Sequence, residues 1–169
     1  MTRGPSVTGV VQQAMPELPE HIHLIAPKAK VNTYDLMEIA DLGLVYTTTS
    51  GLEMAVRGLP VMVAGKTHYR RRGFTIDPET YEEYFTMLDR ILADLPGHHL
   101  TPGQVEQAWN YAYRFFYEFP QPFPWHIQHI PKDLRARPMH YVLSEEGLAQ
   151  YASTFRYLTG EPLDWKAID

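Results

Sequence analysis

Cysteine is absent from this 169-residue chain, which excludes disulfides, thiolate metal sites and thiol nucleophiles and fits a reducing compartment. Long apolar runs are also missing. No stretch approaches the roughly 20 apolar residues that a membrane-spanning helix needs. The opening MTRGPSVTGVVQQAM is interrupted by Gln12 and Gln13 and holds no sustained apolar core, so a secretory leader is not expected. Basic excess is lacking as well. The net charge of -5 argues against a general nucleic-acid binder, which is usually basic. What remains is ordinary for a globular domain: 44% hydrophobic and 21% charged residues. The expected location is the cytoplasm, or the inner face of the membrane by peripheral association through aromatic side chains.

The length suits one α/β domain over residues 1–169. Its sheet-forming, ligand-binding core is expected over 20–95, with helical and extended segments of 101–169 packed on it. Residues 5–15 read as a short helix closed by Pro16 and Pro19. His21–Ala26 (HIHLIA) alternates and then turns apolar, as a short strand does. Asn32 or Thr33 can cap a helix over about 34–40.

The densest signal runs from Asp41 to Thr75: DLGLVYTTTSGLEMAVRGLPVMVAGKTHYRRRGFT. Leu42–Tyr46 and Val61–Ala64 read as strands apolar on both faces, which suits a covered parallel sheet. Between them lie a hydroxyl-rich turn, a short helix over Gly51–Arg57 and Gly58 as its left-handed stop. Strand, helix and strand in this order make a right-handed crossover unit. Asp77-Pro78-Glu79 signals another helix start, with an apolar helical face from Tyr81 to Leu95. Thr101-Pro102-Gly103-Gln104 has capping-box spacing. The helix after it carries Val105, Ala108, Trp109, Ala112, Phe115, Phe116 and Phe119, and an aromatic stripe of this kind is more often packing than a base-stacking platform. Pro120–Pro131 reads as an extended segment laid down by Phe123 and Trp125. Ser144 caps a final helix over about 145–158.

Two stretches carry candidate chemistry. At the turn Thr47-Thr48-Thr49-Ser50-Gly51, free N–H groups of a first helical turn favour an anion, hydroxyls add donors, and Gly51 lets a ligand approach the backbone. Glu53 could accept hydrogen bonds from a ribose diol. Against this stands the plainer reading of a capped helix with an acid favouring its dipole. The second stretch, Gly65–Thr75, begins at the carboxyl edge of the sheet, where open α/β folds bind ligands. Arg70–Arg72 suit phosphate, although three arginines cannot converge on one small ligand. His68 is a donor to phosphate or a general acid–base in one reading, and a solvated loop residue in the other. His21 with His23, and His98 with His99, give no metal-ligand spacing, and no metal is expected.

The run NTYDLMEIAD at Asn32–Asp41, then TTTSGLE, GLPVMVAG, THYRRRGFT and YAYRFFYEFPQPFPW, resembles the capsule polysaccharide biosynthesis family over about residues 20–130. Those proteins are similar to GT-B glycosyltransferases, in which two Rossmann-like halves face each other across a cleft. The resemblance implies the carboxyl-terminal, donor-binding half, lacking its first strand and followed by a helical extension. It implies a nucleotide sugar held as substrate, with no separate cofactor. Thr48, Thr49, Ser50 and Gly51 would meet its phosphates and Glu53 its ribose, and His68, Tyr69, Arg72, Gly73 and Thr75 would line the donor side. Hexosyl or Kdo transfer would then need an acceptor half, supplied by another polypeptide or a homodimer. No catalytic residue is assigned. On this reading the isolated chain is expected to be incomplete or inactive. A non-catalytic remnant, a partner-dependent subunit and a sugar-nucleotide epimerase on the same scaffold are the alternatives.

Overall fold

The structure is a computed structural model that describes residues 6–162. It is α/β: a small two-stranded parallel sheet flanked by helices. The chain separates into two compact units, Met1–Ala40 and Asp41–Asp169.

In the first unit, α1 (Val7–Ala14) is capped by Ser6, whose hydroxyl accepts from the Gly9 N–H. The helix α2 (Thr33–Ile39) is capped by Asn32, which accepts from the Tyr34 N–H and donates to Asp35. The strand expected over His21–Ala26 does not form; the segment is irregular. The Ile22 N–H donates to the Pro19 carbonyl in a turn, while Ile22 and Ile25 stay exposed. Alternation alone does not make a strand where no neighbouring edge takes up its backbone groups.

The second unit holds the sheet. β1 (Gly43–Val45) pairs in parallel with β2 (Val61–Val63), Gly43 opposite Val61. The crossover helix α3 (Ser50–Ala55) joins them, and Gly58 takes φ 84° just beyond it. A bridge from Met62 to Ile76 extends the pairing by one residue. Among the described residues the sheet goes no further, so the full Rossmann-like half expected from the resemblance is not seen.

β2 is apolar and fully covered, with Val61, Met62 and Val63 all at 0% exposure. β1 is covered on one side only, since Leu44 is 50% exposed, which corrects the expectation of two buried strands. Two strands alone are marginal. They are held here by a cluster of Val45, Leu52, Ala55, Val61, Val63, Tyr69, Phe74 and Ala108. Full burial of each larger member contributes about 1.5–3 kcal/mol.

The helix expected at Asp77 begins later, as α4 (Tyr81–Ala93), capped by Thr80. Asp77 is diverted into the preceding loop, where its carboxylate accepts from the Thr75 hydroxyl at 2.9 Å and the Arg71 N–H at 2.8 Å. A single turn at Pro96–His98 ends this region. The capping box opens α5 (Pro102–Tyr113) as its spacing predicts. The helix then widens into a π turn over Arg114–Glu118, and Trp109, Phe116 and Phe119 stay about half exposed.

The proline-rich segment is irregular up to α6 (Ile130–Ala136). The Arg137 guanidinium donates to the Pro124 carbonyl, Trp125 Nε1 to the Arg137 carbonyl and the Thr154 hydroxyl to the Pro122 carbonyl. Pro124 is buried and Trp125 half-buried, whereas Phe123 is half exposed. A short α7 (Met139–Val142) precedes α8 (Glu145–Leu158), which is capped by Ser144 with the bounds its sequence predicts.

Candidate functional site

The turn after β1 is largely satisfied by its own groups. The Thr48 hydroxyl accepts from the Ser50 N–H at 3.2 Å and lies 3.1 Å from the Ser50 hydroxyl. Thr48 and Thr49 are exposed, Ser50 and Glu53 half-buried. Gly51 is buried, and the Tyr69 hydroxyl stands where its side chain would project, with Val45 also close. The missing side chain therefore makes room for Tyr69 and not for a ligand.

Tyr69 itself is fully buried. Its hydroxyl donates to the Thr48 carbonyl at 2.5 Å, and burial pushes its phenol above the usual value. Tyr69 thus belongs to the core and joins the two candidate stretches from beneath. It does not line a cleft.

The three arginines divide. Arg70 lies 3.6 Å from both Asp77 and Glu79 and donates to the Pro78 carbonyl. Arg71 pairs with Glu79 and has φ 58°, a left-handed geometry that the Asp77 contact to its N–H helps hold. Arg72 has no carboxylate partner among the described residues, and its guanidinium lies 5.4 Å from the centre of the Tyr111 ring, a cation–π contact. One cation of the three is thus left for a ligand.

Arg72 and His68 form one wall of a cavity of about 960 Å³. The opposite wall comes from the end of α5 and the π turn: Tyr111, Arg114, Phe115, Glu118 and Phe119. The His68 ring stacks on Phe115 at 3.9 Å with 7° between planes. Its Nδ1 lies 3.0 Å from the Tyr111 hydroxyl, which also meets the His68 carbonyl at 2.7 Å. Cover on one side of the ring, with the Arg72 charge second, holds the His68 pKa below its ordinary value of about 6.5. The neutral imidazole is therefore favoured at neutral pH.

Gly73 takes φ 89°, and its carbonyl accepts from Gln104 Nε2 at 3.0 Å. Gln104 is also the capping-box residue of α5. One side chain therefore ties the start of that helix to the loop that bears Arg72. Thr75 is occupied with Asp77. Of the sequence candidates, the cavity gathers His68 and Arg72 only. It adds Tyr111, Arg114, Phe115, Glu118 and Phe119, whose i, i+3, i+4, i+7 and i+8 spacing already put them on one helical face. π turns recur at functional sites, and this one supplies most of the wall.

The Arg72 guanidinium, a second on Arg114 that stands 3.7 Å from Glu118, aromatic faces and an imidazole suit an anionic ligand that also carries a ring. Its volume falls in the range of small-ligand sites. Among the described residues no group of three or more His, Asp or Glu side chains could hold a metal ion, and no helix is long and apolar enough to cross a membrane. The chain matches no protein-family model, no curated protein and no solved structure.

Proposed function

We propose that this chain binds a nucleotide sugar, as the donor half of a GT-B-like glycosyltransferase for a surface polysaccharide. The supporting observation is the cavity of about 960 Å³ that joins Arg72 and Arg114 to the rings of Tyr111, Phe115 and His68 on the loop after β2. The guanidiniums would take the phosphates, and the aromatic faces would take the base or sugar. In a transfer reaction the same cations would stabilise the departing diphosphate. The acceptor and the catalytic base would come from a partner surface.

A stripe on α5 and the π turn favours the partner-dependent form of this reading. Trp109, Tyr113 and Tyr117, spaced four residues apart, are 59%, 57% and 76% exposed, and the two tyrosine rings stack at 5.5 Å. Exposed aromatic faces of this kind mark contacts with other chains.

Calorimetric titration of the folded chain with UDP, CMP, GDP and dTDP sugars tests the binding claim. Saturable binding of one nucleotide class, weakened about tenfold or more in Arg72→Ala through loss of a charge-assisted contact, is the expected result. Absence of binding across the panel sinks it.

A further inference from the structure

The Tyr111 hydroxyl has a single hydrogen. It donates that hydrogen to the His68 carbonyl at 2.7 Å. The same oxygen lies 3.0 Å from His68 Nδ1, and with its hydrogen spent it can only accept there. Nδ1 therefore carries the imidazole proton. In a neutral ring the other nitrogen is then a bare acceptor, so Nε2 is the ring position left for a ligand. Stacking on Phe115 at 3.9 Å fixes the plane of the ring.

The charged groups around it are two arginines and one acid. Arg72 comes from its own loop, and Arg114 and Glu118 come from the π turn on the opposite wall. Tyr69 meets the ring edge-on at 5.2 Å, and Tyr111 lies parallel at 5.9 Å. Arg114 and Glu118 stand 3.7 Å apart and offset each other. The lining groups therefore carry a net +1 while His68 is neutral and +2 once it is protonated.

We propose that His68 sets the ligand preference of this cavity: held with its proton on Nδ1 by Tyr111, it accepts a hydrogen bond from a ligand hydroxyl or N–H at neutral pH, and on protonation it becomes a third cation beside Arg72 and Arg114. This rests on the reading that the cavity holds a phosphate-bearing ligand. A ligand that presents both an anion and a neighbouring donor is favoured at neutral pH. A bare anion gains as the pH falls.

Inorganic sulfate is a suitable probe, because its charge is constant between pH 5.5 and 7.5. Imidazole ¹⁵N spectra of the whole chain report the tautomer, and sulfate titrations at both pH values report the coupling. The expected spectrum has His68 with its proton on Nδ1, and Tyr111→Phe removes that preference. Sulfate should bind more tightly at pH 5.5, by up to about thirtyfold, the effect of one more unit charge about 4 Å from a divalent anion through water. In His68→Gln the affinity should be equal at the two pH values. A proton on Nε2 in the unaltered chain overturns the proposal, as does sulfate binding that is absent or independent of pH. Nucleotide-sugar binding is read separately at pH 7.5. A panel that binds while sulfate shows no pH dependence defeats the role of His68 alone, and a silent panel defeats the donor reading alone.

Discussion

Gly51 and Tyr69 show how a residue suited to ligand approach is used for packing. Gly51→Ala would drive a methyl group into the Tyr69 hydroxyl and toward Val45. Overpacking of this kind costs about 1–3 kcal/mol, offset in part by the helix propensity of alanine, about 1 kcal/mol over glycine. Urea unfolding should show Gly51→Ala as net destabilising. The same change in a Tyr69→Phe background should cost less, because the obstructing oxygen is gone, so the pair should be non-additive. Additive costs would contradict the contact. His68 gives a second test at this scale. Its folded pKa lies below the unfolded value of about 6.5, so the unfolded chain takes up the proton first. The stability it contributes is complete above about pH 6.5 and is lost as the pH falls through the lowered folded value. Stability-against-pH curves should be flatter below pH 6.5 in His68→Gln than in the unaltered chain.

At the scale of the element, much was legible. Ser144 and the Thr101–Gln104 box mark the starts of α8 and α5 because caps act through a few adjacent atoms. The order strand, helix, strand was legible at Asp41–Ala64 for the same reason: turn chemistry and apolar runs are local. The π turn was not, since an i to i+5 bond pattern leaves no residue signature. The alternation at His21–Ala26 does not become a strand, because pairing depends on a neighbour that no local pattern reports. Burial of Tyr69 depends on where Gly51 ends up in space, which spacing does not give. The site divides accordingly: its loop residues His68 and Arg72 are legible in the sequence, while its helical wall reads as packing. Removal of Phe116 would take the extra residue out of the π turn and restore an ordinary helix, closing the wide turn that forms this wall of the cavity. Circular dichroism should then keep its helical signal while ligand binding is lost; retained affinity would show that the π turn is incidental. Gln104→Ala should weaken binding more than Thr101→Ala, although the latter loses about 1 kcal/mol of capping, because only Gln104 also holds the Gly73 carbonyl.

For the whole molecule, the central question is whether a small sheet with one aromatic and arginine-lined cavity is half of a donor site. The α3 turn and the loop after β2 are tied together through Tyr69, so the cavity wall rests on the core and not on a free loop. The exposed stripe from Trp109 to Tyr117 supports a second chain as the source of the acceptor side. Light scattering of the lone chain should show self-association that Tyr113→Ser with Tyr117→Ser abolishes, if that second chain is a copy of itself. The measurement that bears most directly on the account is calorimetric titration of the folded chain with the nucleotide-sugar panel, alongside Arg72→Ala. Saturable, one-to-one binding of one nucleotide class is expected, weakened about tenfold or more by loss of the Arg72 guanidinium. A folded chain that binds none of them, or whose binding is indifferent to Arg72, would contradict it.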